Sequence, residues 1–231
     1  MVEWGGLENR CGSLGHPGFE SLPLRQNVKP GFSLLDVQFH LDGRNPVSLV
    51  VRFVYTFRQE GNMSQLDQFR AQKDDFFQHD WQSPLTPDQR TAFTGLKYYP
   101  ENPALRLTRP IEPLADQKII TMLTSTGSAR EYVKYGQFSF EVNGEVATLQ
   151  VYQDPAGDYF FLPFVDATAP EETYGAGRYL DVEPIGGGEF LIDFNYAYNP
   201  YCAYSDKWSC PIPPQENRVK VRIEAGEKNF K

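Results

Sequence analysis

At 231 residues, with 40% hydrophobic and 23% charged side chains, the chain can bury one sizeable core or two small ones. Twenty-two Lys and Arg against 30 Asp and Glu leave a net charge of −8, which without a local basic patch excludes a charge-driven nucleic-acid or anionic-membrane partner. No apolar run approaches the roughly 18 to 20 residues of a membrane helix, and three Cys make no disulfide scaffold, so a soluble, cytoplasmic globular protein is expected.

The leading part differs from the rest. Residues 1 to 62 carry six acids and six bases, so the whole acidic excess follows Asn62. They lack the basic start, apolar centre and cleavage site of a signal peptide. Their one predicted element is a strand at Val47 to Phe57, where Val47, Leu49, Val51, Phe53, Tyr55 and Phe57 alternate with their neighbours, and a lone strand is not stable. Met63 reads as a beginning: Ser64 can cap an amphipathic helix on which Leu66, Phe69, Lys73, Phe76 or Phe77, and Asp80 or Trp81 recur at helical spacing. Upstream of it, Glu60-Gly61-Asn62 can be encoded with a purine-rich GAGG, placed where a bacterial ribosome-binding site belongs. Residues 1 to 62 are therefore read as a leader behind a mis-assigned start, or else as an accessory extension that supplies a hairpin, and residues 63 to 231 as a single β-rich domain.

After the first helix, Thr86-Pro87-Asp88-Gln89 joins a cap, a first-turn proline and a capping-box glutamine, predicting a short helix over 87 to 94. The remainder reads as strands: 118 to 124; the alternating Phe138, Phe140 and Val142, closed by the hairpin dipeptide Asn143-Gly144; and Ala147, Leu149 and Val151 on the return. A turn at Asp154 to Gly157 leads into an apolar run over 159 to 165, followed by strands at 178 to 183, 190 to 194 and 219 to 223. The Pro-rich stretches at 100 to 113 and 211 to 214 read as bends. No βαβ alternation is present, so the expected fold is mainly β: an antiparallel sandwich or open barrel with an N-terminal helix and a short second helix.

Five blocks carry a resemblance. Phe164-Val-Asp-Ala-Thr168, Glu172-Thr-Tyr-Gly-Ala-Gly-Arg-Tyr-Leu-Asp181, Asp193-Phe-Asn-Tyr-Ala-Tyr-Asn-Pro-Tyr-Cys202, Cys210-Pro-Ile-Pro-Pro-Gln-Glu-Asn217 and Ala225-Gly-Glu227 resemble the signature blocks of domain-of-unknown-function family 1684. The likeness spans roughly residues 63 to 230, with Gly175-Ala-Gly-Arg178 where the family usually has Gly-Gly-Gly-Arg. It implies a bacterial or archaeal protein, no assigned activity, and a site built from these blocks.

What is missing bounds the chemistry. His79 is the only His after Met63, at a helix end where a surface role is the ordinary one, and Cys202 with Cys210 offers two thiols where a structural zinc site needs four ligands. No metal is expected, and packed, reduced thiols are the plain reading of the pair. Gly175 to Gly177 and Gly186 to Gly188 lack the strand-to-helix setting of a phosphate cradle, so no cofactor is expected. Glu216 and Glu227 are further carboxylates that can serve as general acid or base, or ligate a hard cation with Asp166 or Asp181, although capping and surface roles are commoner.

A polar cluster stands out instead. Period-two alternation puts Phe190, Ile192 and Phe194 on one face and Asp193 and Asn195 on the other. Tyr196, Tyr198, Asn199, Tyr201 and Tyr204 crowd the loop that follows, a composition suited to a flat or sugar-like ligand. Arg178, after a glycine-flexed turn, can pair with Asp193, Asp181 or an anionic ligand; the competing reading is a buried Arg, carboxylate and Asn network that pins the loop. Two functions follow. One is a small-molecule or glycan-binding domain using Asn195, Tyr198, Asn199, Tyr201 and Asp181. The other is a hydrolase or lyase with Asp193 and Glu172 as the proton-transfer pair and Arg178 as anion stabiliser.

Overall fold

The computed structural model describes residues 63–155, 157 and 159–231; the predicted strand at Val47 to Phe57 and the leader reading lie outside them. Helix α1 runs over Gln65–His79 and α2 over Pro87–Ala92. The capping box at α2 forms as its residue types require: the Thr86 hydroxyl accepts from the Gln89 amide and the Gln89 side chain accepts from the Thr86 amide. Eight strands follow: β1 Arg106–Pro110, β2 Glu112–Pro113, β3 Ile119–Leu123, β4 Ala129–Val142, β5 Glu145–Gln153, β6 Phe160–Phe164, β7 Arg178–Gly186 and β8 Glu189–Asp193. All pair antiparallel in the order β1-β8-β7-β6-β5-β4-β2, with β3 also on β4, giving a nearly closed, barrel-like sheet. Among the described residues no helix is long and apolar enough to cross a membrane.

The β4–β5 turn shows local chemistry deciding geometry. Asn143 and Gly144 sit at φ +52° and +83°, the two left-handed positions of the hairpin turn that matches strand twist. From there Val142↔Glu145 to Phe138↔Leu149 pair in register, so Phe138, Phe140, Ala147, Leu149 and Val151 point together into the barrel. A bulge between Lys134 and Gly136 then breaks the alternation. An inserted residue turns the side-chain parity over, and Tyr132, an even number of residues from Phe138, packs in a second core outside the barrel.

Two cores result. Phe160, Leu162, Phe164, Leu180, Val182, Phe190, Ile192 and Phe194 fill the barrel, with Val221, Ile223 and Ala225 from the C-terminal segment. Outside, Tyr152, Phe161, Tyr179, Tyr198, Tyr201 and Tyr204 pack against Phe77 of α1 and Phe93.

Two segments depart from the sequence expectation. Residues 106 to 110, read as part of a bend, form β1; it is the end strand of the sheet, where Pro110 forfeits no needed ladder bond. Residues 219 to 223, read as a strand, form none of the eight strands: beside the parallel bridge Val165↔Arg218, the Val219 amide donates to the Val165 carbonyl and the Val221 carbonyl accepts from Ala167, and the pairing ends there. Their alternation is real, with Val221 and Ile223 buried and Lys220 and Arg222 exposed. The Asp166 carboxylate, however, accepts from the Ile223 amide at 2.7 Å, where a backbone acceptor would serve in a ladder.

Candidate functional site

Strand parity distributes the predicted site residues. On β7, Leu180 and Val182 point into the barrel, so Arg178 shares their face while Tyr179 and Asp181 face outward. Arg178 and Asp181 therefore lie on opposite faces of one strand and do not pair. Arg178 turns instead to Asp166, with a nitrogen to oxygen distance of 3.1 Å and both side chains at most 2% exposed. Its guanidinium also donates to the carbonyls of Ile223, Ala225 and Glu227 and lies over the Phe164 ring. Asp166 in turn accepts from Thr168, whose hydroxyl meets that of Thr173 at 2.8 Å. Burial pulls the Arg178 guanidinium below its ordinary value, opposed chiefly by Asp166. A cation held on three carbonyls and one carboxylate, with 1% exposure, has little left to offer an anionic ligand.

Asp193 also takes a partner other than Arg178. It lies directly across from Arg106 in the β1–β8 pairing, and the two form an ion pair at 2.8 Å. Asp193 caps the following turn by accepting from the backbone and side-chain nitrogens of Asn195. Asn195 clamps Asn102, accepting from its amide at 2.7 Å and donating to its carbonyl at 3.0 Å. Glu172 belongs to a third network at the surface, where it accepts from Tyr99 and pairs with Arg222 and Lys228; the Arg222 hydrogen bond, the largest cause, holds its carboxyl below the usual range. The proposed acid–base trio thus pairs with three different ions, Arg178 with Asp166, Asp193 with Arg106 and Glu172 with Arg222, and its members do not contact one another.

The tyrosine loop is sorted by the same logic. Tyr201 is 3% exposed and packs edge-on against Phe77 and Trp208. Asn199 is buried, donating its amide to Glu227 at 2.6 Å and its side chain to the Lys228 carbonyl. Tyr198 is different. An antiparallel bridge ties it to Tyr179, which carries its hydroxyl to Asp181 Oδ1 at 2.9 Å. Tyr159, two residues ahead of Phe161 and so on the same outward face, donates to the same oxygen. Asp181 and Tyr159 are half-buried. Burial first, and the Asp181 charge second, push the Tyr159 hydroxyl well above its ordinary value, so it remains a donor at any physiological pH.

Behind Tyr198 lies a buried ion pair. Lys73 Nζ sits 3.0 Å from Glu227 Oε1, both 1% exposed, and 4.8 Å from the Tyr198 ring centroid. Glu227 Oε2 accepts from Tyr204 at 2.8 Å as well as from Asn199. Gly226 permits this: at φ +75°, a Cβ there would stand 2.5 Å from the Ala197 carbonyl oxygen. On the sequence Lys73 reads as a member of the apolar stripe of α1, and Tyr159 as no more than the start of an apolar strand. A charged residue at an apolar stripe position was the available signal, since a buried charge demands a partner. His79, by contrast, is exposed and pairs with Asp75 on its own helix. No group of three metal-binding side chains occurs among the described residues.

Residues 91–228 match the family described as protein of unknown function, DUF1684. The chain belongs to this family. The DUF1684 blocks at 164–168, 172–181 and 225–227 meet around the Arg178 and Asp166 pair. A solution NMR structure of an uncharacterised protein of Haloarcula marismortui is similar at 35% identity, covering 71% of this chain and 92% of that one, with a TM-score of 0.57. No curated protein matches the chain.

Proposed function

We propose that this DUF1684 protein binds a small, polyhydroxylated, sugar-like molecule at the outward face of β7, with Asp181, Tyr159 and Tyr198 as the contacting groups. The observation that supports it is the convergence of two tyrosine hydroxyls on one oxygen of a half-buried carboxylate. A carboxylate so held is oriented in advance. It can accept hydrogen bonds from ligand hydroxyls while the half-buried Tyr159 ring offers apolar surface, the pairing of groups that sugar-like ligands require; Tyr198, 7% exposed, holds the carboxylate from the inner side. Arg178, Asn195, Asn199 and Tyr201 then serve as scaffold behind the site.

Calorimetric titration of the full chain with a panel of monosaccharides and cyclic polyols tests the reading. At least one should bind, and Asp181→Asn should weaken it about tenfold or more, the consequence of losing charge-assisted hydrogen bonds of roughly 1.5–3 kcal/mol. Binding that survives both Asp181→Asn and Tyr159→Phe unchanged would place the ligand elsewhere.

A further inference from the structure

Cys202 and Cys210 meet in a way the sugar-site reading does not use. Cys202 lies in a single turn of 3₁₀ helix, Tyr201–Ala203, and its amide donates to Cys210 Sγ at 3.3 Å. The Tyr174 hydroxyl donates to Cys202 Sγ at 3.7 Å. Cys210 is fixed from the other side: its amide donates to the Ser125 hydroxyl at 3.1 Å and its carbonyl accepts from the Ser125 amide. Ser209, beside it, shares hydrogen bonds of 2.7 to 3.0 Å with Thr124, Thr126 and Ser128. One sulfur is thus anchored to the β3–β4 turn, and the other is brought against it by a local helical turn. Cys202 is half-buried and Cys210 is 1% exposed.

We propose that Cys202 and Cys210 are a dithiol site that a small-molecule disulfide oxidises to an intramolecular disulfide. In the first step the Cys202 thiol loses its proton to solvent and its sulfur attacks one sulfur of the oxidant, here glutathione disulfide. The oxidant's S–S bond breaks and one glutathione thiolate leaves. In the second step Cys210, deprotonated in turn, attacks Cys202 Sγ and displaces the second glutathione. Two electrons pass from the protein to the oxidant, two glutathione thiols are released, and a ring closes over residues 202 to 210. Exposure sets the order, because only Cys202 can be reached from solvent.

The environment also sets the character of the couple. The contact with Cys210 first, and burial second, raise the Cys202 thiol far above its ordinary value. A thiol so raised stays protonated near neutrality, so the first attack is slow.

The experiment equilibrates the full chain in glutathione buffers of graded oxidised-to-reduced ratio, quenches with acid, alkylates and digests with trypsin. Cleavage after Arg178, Lys207 and Arg218 puts Cys202 in the peptide 179–207 and Cys210 in 208–218, so the disulfide appears as a cross-linked pair two mass units lighter than the two free peptides together. The expected result is full cross-linking between these two peptides and a melting temperature several degrees above that of the reduced protein, a shift abolished in Cys202→Ala. Thiols that stay alkylatable at the most oxidising ratio, or a Cys202 that stops as the glutathione adduct or links to Cys11 instead, would overturn the proposal. Cys210→Ala serves as the control for a misfolded variant: it should retain the far-ultraviolet spectrum and accumulate the glutathione adduct on Cys202.

Discussion

The barrel interior and the layer outside it are both rich in aromatic rings, yet the buried rings of the first are all Phe whereas most of those of the second are Tyr. Phe138, Phe140, Phe160, Phe164, Phe190 and Phe194 line the barrel, whereas Tyr132, Tyr152, Tyr179, Tyr198, Tyr201 and Tyr204 lie outside it. Inside a closed ladder the backbone groups are already paired, so a hydroxyl there finds no acceptor and its burial costs free energy. Outside, the layer faces loops with unspent acceptors. Tyr179 donates to the Pro211 carbonyl, Tyr204 to Glu227, Tyr198 to Asp181 and Tyr152 to Glu216. The same sheet thus supports on one face a Phe core whose polar content is the Arg178 and Asp166 pair, and on the other a Tyr-rich core laced by hydroxyl hydrogen bonds and the Lys73 and Glu227 pair.

The sharpest test removes the buried cations. Arg178→Met strands Asp166, and Lys73→Met strands Glu227. Each should lower stability by about 3–5 kcal/mol in urea melts, the usual cost of an uncompensated buried charge. The double change Lys73→Met with Glu227→Gln should recover most of the Lys73 loss. If Lys73→Met alone costs less than about 1 kcal/mol, the outer layer does not depend on its ion pair and the contrast between the cores weakens.

Exchanging the ring types probes the contrast directly. Phe164→Tyr places a hydroxyl where the barrel offers no free acceptor and should cost roughly 1–3 kcal/mol. Tyr179→Phe removes one hydrogen bond from the outer layer and should cost about 1 kcal/mol. Equal losses in chemical melts would show that the two cores are not distinguished by polar satisfaction.

The gentlest perturbation is alkaline pH. Tyr99 is pushed up to about 12 from an ordinary 10.0, by burial first and by its Glu172 contact second, and Tyr152, Tyr159 and Tyr174 are raised as well, chiefly by burial. A raised acid favours its protonated form in the folded state. Its contribution is complete below about pH 10 and is lost as pH climbs through the folded value. Melting temperature should be level up to about pH 10 and decline above it, with tyrosinate absorbance rising in step. Tyr99→Phe should flatten the slope between 10 and 12, and a decline that begins near neutrality would count against this account.

Much of the fold was legible because its signals are local. The capping box at Thr86 and Gln89, the Asn143-Gly144 turn and the period-two pattern at 190 to 194 each specify a conformation within a few residues, and each is found as read. The errors mark non-local decisions. Pro110 argued against a strand that edge position permits, and the alternation at 219 to 223 pairs with residues 165 to 167 only as far as Val221, before the Asp166 carboxylate takes the Ile223 amide. Gly136, beside the bulge that turns Tyr132 outward, has its reason across the sheet: a Cβ there would lie 2.6 Å from the Glu112 carbonyl oxygen.

The site divides in the same way. Residue types alone marked the chain from Glu172 to Glu227 as polar, aromatic and irregular, and alternation alone put Asp193 opposite Ile192. Partner choice came from tertiary structure. Arg178 reaches Asp166 because strand parity turns it away from Asp181, and Asp193 meets Arg106 because β1, nearly 90 residues earlier, pairs with β8. Alternation tells which face a side chain takes. It cannot tell which strand closes over that face, because that depends on the order in which the whole sheet pairs, and the ion pairs and hydrogen bonds of this protein are set by that order.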